Sequence, residues 1–207
     1  MKDAFLDAAD TARELLDAPR LDELWESESA LDRMTVGELC AHLSRAVTVV
    51  PGYLMERGTP PLVDAPGYFL ALMPDGGADL DSRLAVSVRE RAKSEAAVGL
   101  EAVASAWDDA RARLGIELGE DLSRPIAVRG SSMRTDDYLV TRLVELVVHA
   151  DDMASSLGVE TPRFGAGVTD AVLACLLEIA KRRSGAMAVV RAMTRRERSD
   201  PGTLLVF

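Results

Sequence analysis

Residues 135–156 read TDDYLVTRLVELVVHADDMASS, and this stretch decides the fold. At 100° per residue, Leu139, Val140, Leu143, Val144, Leu146, Val147 and Val148 spread over about 200° of a helical circumference, so the segment is a helix buried over most of its surface. Thr135 is expected to cap it, Asp136 and Asp137 sit in the first turn where the helix dipole favours acids, and Gly158 ends it. The polar residues Arg142, Glu145, His149 and Asp152 fall at i, i+3, i+7 and i+10, inside about 80° of arc. They form one narrow stripe, which is either the solvated face of a packed helix or the lining of an internal pocket; periodicity does not separate the two. Glu145 and His149, one turn apart, have the spacing for two ligands of one metal ion.

Working outward, the rest of the chain is also helical. Phe5, Ala8, Ala9, Ala12, Leu15 and Leu16 predict a first helix over about residues 3–16, ended by Ala18-Pro19. Thr35-Val36-Gly37-Glu38 has the spacing of a capping box and starts a second helix that runs to Val50 and stops or kinks at Pro51-Gly52. Residues 58–79 are dense in Gly and Pro and read as a long loop, with Tyr68, Phe69, Leu70, Leu72 and Met73 packing as one short turn at most. Such a loop is either a binding lid or a plain crossover. From Leu80 to Leu114 apolar or small residues step by three, four or seven, a helical stripe long enough to predict a break between Lys93 and Gly99. Residues 115–134 read as irregular around a strand-like Ile126-Ala127-Val128, and two further helices are expected over about 167–183 and 185–198, before an extended tail at 203–207. The expectation is one all-α domain over 1–207: an up-and-down four-helix bundle over about 3–160 with additional C-terminal helices.

Composition excludes several function classes. The 24 Lys and Arg against 34 Asp and Glu give a net charge of -10, a field that repels phosphate backbones and anionic lipid, so nucleic acid is not an expected partner. There is no apolar run of about 18 residues to span a membrane, and Met1-Lys2-Asp3-Ala4-Phe5 does not begin a secretory signal, so the expected location is cytoplasmic. Cys40 and Cys175 lie in apolar helical segments and read as buried small hydrophobes rather than a disulfide.

The chain has 2 histidines. The other, His42, also follows a glutamate by four residues, but Glu38 is the third helical residue of the capping box, so cap, solvated surface and metal partner all remain open for it. Cys40 projects about 200° from His42 on the same helix and cannot share a metal with it. A lone histidine on a partly apolar helix is more often a core residue than a ligand, so His42, Glu145 and His149 stand as a metal-site candidate among blander readings.

The run Met34-Thr35-Val36-Gly37-Glu38-Leu39-Cys40-Ala41-His42-Leu43, with Met34 in place of a tryptophan, together with Arg142, Glu145, His149 and Asp152 in an Arg-x-x-Glu-x-x-x-His-x-x-Asp pattern, resembles the N-terminal domain of mycothiol-dependent maleylpyruvate isomerases. That family has a DinB-like four-helix metal fold. The resemblance implies that His42, Glu145 and His149 ligate a divalent ion, most often Zn2+, that Asp152 orients a ligand histidine, and that Arg142 is a pocket cation or a surface residue. It also implies mycothiol as cosubstrate. The isomerases continue into a sterol-carrier-protein-like domain, and the chain ends near where that domain would begin, so maleylpyruvate isomerisation itself is not the expectation.

The functional expectation is a metal-dependent thiol transferase or isomerase whose partners are a small-molecule thiol and an electrophile, with Arg89 and Arg91 as candidate cofactor-binding residues and a homodimer as the assembly option. The rivals are a non-catalytic metal-binding or regulatory bundle, and a metal hydrolase with Asp152 as base. A deep arginine-lined pocket open to the metal favours the thiol enzyme; a metal sealed under side chains favours the structural role.

Overall fold

Phe5, Ala8, Ala9 and Ala12 form the buried face of α1 (Lys2–Arg13). The expected helix to residue 16 instead tightens into a 3-10 turn at Glu14–Asp17, which buries Leu15 and Leu16. The structure, a computed structural model, describes residues 1–207 other than 75, 77, 78, 199 and 207. After the single turn α2 (Leu21–Leu24), the Trp25 indole lies across Gly37, where a Cβ would come within 2.5 Å of its ring. Gly37 therefore lets the connector seat directly on α3 (Val36–Thr48).

The start of α3 is fixed by the reciprocal bonds of its capping box: Glu38 N–H donates to Thr35 Oγ1 (3.2 Å) and Thr35 N–H donates to Glu38 Oε2 (3.1 Å). Pro51 does not stop the chain. It falls in the first turn of α4 (Val50–Met55), where the missing N–H would have had no partner anyway, so the path bends and continues.

The expected loop over 58–79 is corrected by α5 (Ala65–Leu72). Asp64 accepts from Gly67 N–H as its N-cap and Pro66 sits in its first turn, so residues that read as breakers are start signals here. Positions 75, 77 and 78 of that expected loop, Gly77 among them, lie outside the described residues. The long stripe divides, as its length suggests, into α6 (Arg83–Ala96) and α7 (Leu100–Glu117), with Gly99 in the left-handed region at φ 85° between them. Residues 115–134 are more regular than expected: β1 (Pro125–Val128) pairs antiparallel with β2 (Ser131–Arg134) across a turn at Arg129 and Gly130.

α8 (Thr135–Leu157) begins at Thr135 rather than being capped by it; the Thr135 hydroxyl donates to Arg124 O and ties the helix to the hairpin. Gly158, left-handed at φ 67°, ends it. Then come α9 (Ala166–Ser184) and α10 (Ala186–Thr194), the latter shorter than the helix expected to 198. The tail is not extended over its first residues: Asp200 caps a 3-10 turn at Pro201–Leu204, and position 207 lies outside the described residues.

The packing is that of an all-α up-and-down bundle in which α1, α3, α7 and α8 enclose the core, α6 lies against α3, and α9 packs on α8 and α5. Leu39 and Leu43 of α3 and Leu139, Leu143 and Leu146 of α8 have no exposure, each burial contributing roughly 1.5–3 kcal/mol. This seam holds the second helix of the bundle face to face with its polar-striped partner. Among the described residues no helix is long and apolar enough to cross a membrane.

Candidate metal centre

His42, four residues beyond Glu38 on α3, points across the seam at the stripe of α8. Its Nε2 lies 3.9 Å from Glu145 Oε2, and His149 Nε2 lies 3.2 Å from the same oxygen. The two imidazole centroids are 4.6 Å apart with their planes at 62°. One ligand atom from each of His42, Glu145 and His149 falls within 4.8 Å of the other two, and this is the cluster of that kind among the described residues.

The two members on α8 are held from behind. His149 Nδ1 is 3.0 Å from Asp152 Oδ2, which makes Nδ1–H a donor to that carboxylate and directs Nε2 at Glu145. The other Glu145 oxygen, Oε1, faces Arg142 Nη2 at 3.8 Å, while Arg142 Nε donates to Thr141 Oγ1 at 3.1 Å. The guanidinium also sits over the Tyr138 ring, 5.2 Å from its centroid. All four stripe residues therefore act on one point.

The electrostatics separate the two imidazoles. Burial, helped by the neighbouring His149, pushes His42 down to about 4. Burial also acts against a charged His149, but the bonds to Asp152 and Glu145 outweigh it and raise that imidazole to about 9. Burial would raise the Glu145 carboxyl, yet the bond from His149 and the charge of Arg142 hold it well below the usual carboxylate range. At neutral pH the metal-free cluster is one neutral imidazole, one imidazolium and one carboxylate.

This donor set fits a divalent ion. Ligand atoms at zinc bond lengths on a tetrahedron stand about 3.3 Å apart, so the 3.2 Å pair is already spaced for ligation and the 3.9 Å pair is slightly wide. A divalent ion held by these three residues would take the place of the proton on His149, and a tetrahedral ion with two imidazoles and one carboxylate would have a fourth position open.

The stripe is not solvated surface. His42, Glu145, His149 and Asp152 line a cavity of about 570 Å³, and the Glu145 side chain keeps 24% of its exposure toward it. Arg89 and Arg91 of α6 line the same cavity; Arg91 donates to Ser87 Oγ at 3.4 Å, and neither forms an ion pair among the described residues. Arg45 of α3 also lines it and is paired with Glu95.

Several lining residues were not singled out from the sequence. Tyr138, four residues before Arg142, extends the α8 stripe by one turn and packs edge to face with Tyr53 at 5.5 Å; its spacing was a signal. Tyr53 and the turn residue Arg129 gave none, because they reach the cavity through tertiary packing, and Tyr68 was named only as part of a short turn in the 58–79 stretch. Glu38 stays at its cap, and Cys40 and Cys175 are buried, free, outside the lining, and pushed up to about 12 by burial.

The model of the mycothiol maleylpyruvate isomerase N-terminal domain matches residues 5–154, which include every residue of this cluster. The chain belongs to that family. No curated protein and no solved structure matches it. As a member of the mycothiol maleylpyruvate isomerase N-terminal domain family it is a mycothiol-related, DinB-like helical domain, and α9 and α10 lie beyond the matched span.

Proposed function

We propose that the protein is a metal-dependent thiol transferase or isomerase that uses mycothiol, with His42, Glu145 and His149 as the metal ligands. The observation that carries this reading is the opening of the three-ligand cluster into a large cavity that contains no cysteine. A divalent ion in the cluster, Zn2+ by its two nitrogens and one oxygen, would supply Lewis-acid activation that lowers the pKa of a thiol in the open position. Because both protein thiols are buried and raised to about 12, the nucleophilic sulfur comes from outside the chain.

The chain's own residues bind and orient. Asp152 keeps Nε2 of His149 directed at the cluster, Arg142 engages the Glu145 oxygen turned away from the histidines, and the tyrosine and aliphatic walls exclude water around a reacting sulfur. Arg89 and Arg91 are the proposed contacts for the polar part of the thiol or for an anionic electrophile. The hydrolase alternative needs Asp152 as a free base, whereas it is engaged by His149 Nδ1.

The deciding experiment titrates mycothiol into the zinc-loaded protein while following proton release, since a thiol that ionises must give up its proton. The expected result is saturable binding with close to one proton released per site. Absence of both at millimolar thiol overturns the thiol reading, and failure to take up any divalent ion overturns the site itself.

A further inference from the structure

The wall of the cavity includes Tyr68 and Leu72 of α5, a two-turn helix with its two ends held by consecutive arginines of α9. At the N-terminal end, Asp64 takes a bidentate pair from Arg182, Nη1 to Oδ1 at 2.8 Å and Nη2 to Oδ2 at 2.6 Å, while Oδ1 also accepts from Gly67 N–H. Gly67 is needed for this arrangement: a Cβ there would stand 2.7 Å from Asp64 Oδ1. At the C-terminal end, Arg183 Nη2 donates to Met73 O at 3.1 Å, and its Nη1 donates to Val206 O at 3.0 Å. Gly76 passes so close that a Cβ would sit 3.3 Å from Arg183 Nη1.

α5 is also bonded to α8, from Ala65 N–H to Asp137 Oδ1 at 3.2 Å. The first turn is thus held between the metal-bearing helix and α9, whereas Met73 O is bonded through Arg183. The side chains between these two fixed points, Tyr68 and Leu72, are those that face the cavity.

We propose that α9 is a strap on the site: Arg182 and Arg183 fix both ends of α5 and so set the width of the cavity available to its organic ligand, making them positioning and selectivity residues. Neither arginine lines the cavity, and both lie outside the family-matched residues 5–154, so this control belongs to the C-terminal addition rather than to the bundle. Arg183 further couples the wall to the tail, since the same guanidinium holds Val206, which is itself buried. The strap stands independently of which ligand the cavity takes.

The test compares hydrogen exchange and hydroxyl-radical footprinting in the wild-type chain and in the Arg182→Gln/Arg183→Gln variant, both zinc-treated. Loss of charge-assisted bonds at both ends is expected to speed exchange of the Tyr68–Met73 amides by about tenfold and to increase labelling of Tyr68, with the Leu139–Ala150 amides unchanged. Unchanged α5 exchange, or equal acceleration of α5 and α8, overturns the proposal. Should the double variant fail to fold, Arg182→Gln alone decides it, since that side chain is 38% exposed and its removal leaves no buried void. It is expected to loosen the first turn of α5 selectively, with Arg182→Lys restoring part of the protection; no selective loosening overturns the strap. A chain that fails to bind zinc yet shows the selective change would separate this inference from the thiol reading.

Discussion

The chain carries two Glu-x-x-x-His pairs of identical spacing, Glu38 with His42 on α3 and Glu145 with His149 on α8, and their fates differ. On α8 the glutamate faces its own histidine at 3.2 Å and the other helix's histidine at 3.9 Å. On α3 the glutamate turns back to the Thr35 amide and its histidine crosses to the other pair. Both acids have the i, i+4 geometry, so spacing does not decide. Position along the helix does: Glu38 is in the first turn, where unpaired backbone N–H groups compete for its carboxylate, while Glu145 is mid-helix, where no amide is free and the partners are side chains.

The sharpest way to break this comparison is to remove the two glutamates in turn. Glu145→Ala is expected to abolish stable zinc uptake, a loss beyond the roughly 10- to 100-fold typical of a supporting residue, as measured by chelator competition and elemental analysis after dialysis. His42→Ala and His149→Ala should behave alike. Zinc binding retained in Glu145→Ala would mean that the α8 pair is no more a ligand pair than the α3 pair.

The next largest effect is on pH dependence. His149, raised to about 9 in the folded metal-free protein, must lose its proton to ligate, whereas His42, at about 4, is already neutral above pH 5. Apparent zinc affinity should therefore rise about tenfold per pH unit between pH 6.5 and 9 and then level. The sign for stability is opposite: the protonated His149 contributes stability fully present below pH 6.5 and lost as pH rises through 9, so the metal-free melting temperature should fall across that window and the zinc-loaded one should not. His42 works the other way, its depressed pKa costing the metal-free fold stability as pH drops below 6.5. A flat affinity profile would remove the asymmetry between the imidazoles.

How much of this was legible depends on where each residue's partners lie. The fold came through because α3 and α8 carry their information in short-range order: apolar residues at helical spacing, a capping box, and a polar stripe broken by no proline. The stripe's destination did not, since a solvated face and a cavity wall have the same period. The α5 wall was misread because Pro66 and Gly67 count as breakers until Asp64 is seen as their cap, and its anchors, Arg182 and Arg183, lie 118 and 110 residues away in sequence. Thr135 was misplaced by one position because its hydroxyl bonds Arg124 O, a contact made only after the hairpin has formed.

A smaller effect tests the support behind the α8 pair. Asp152→Ala removes the acceptor that fixes the tautomer of His149, and zinc affinity should fall about 10- to 100-fold with the bundle intact by circular dichroism. Asp152→Asn should recover part of it, because the amide oxygen still accepts from Nδ1–H. If both variants bound zinc as the wild type does, Asp152 would have no part in orienting the ligand.

The smallest expected effect closes the comparison from the α3 side. Glu38→Ala deletes one half of the reciprocal cap, the bond from Thr35 N–H, but leaves Glu38 N–H donating to Thr35 Oγ1. The backbone amide at Thr35 then turns to water, since the site is partly exposed, so the cost should be about 0.5–1 kcal/mol, or about 1–4 °C in melting temperature for a chain of this length. Thr35→Ala removes the other half and should cost a similar amount or somewhat more. Neither change reaches His42, which lies one turn on among the buried positions Leu39, Ala41 and Leu43, so zinc stoichiometry and affinity should match the wild type within a factor of about two. A Glu38→Ala protein that melts normally but binds zinc weakly would reverse the assignment, making Glu38 a partner of the metal and leaving the helix capped by Thr35 alone.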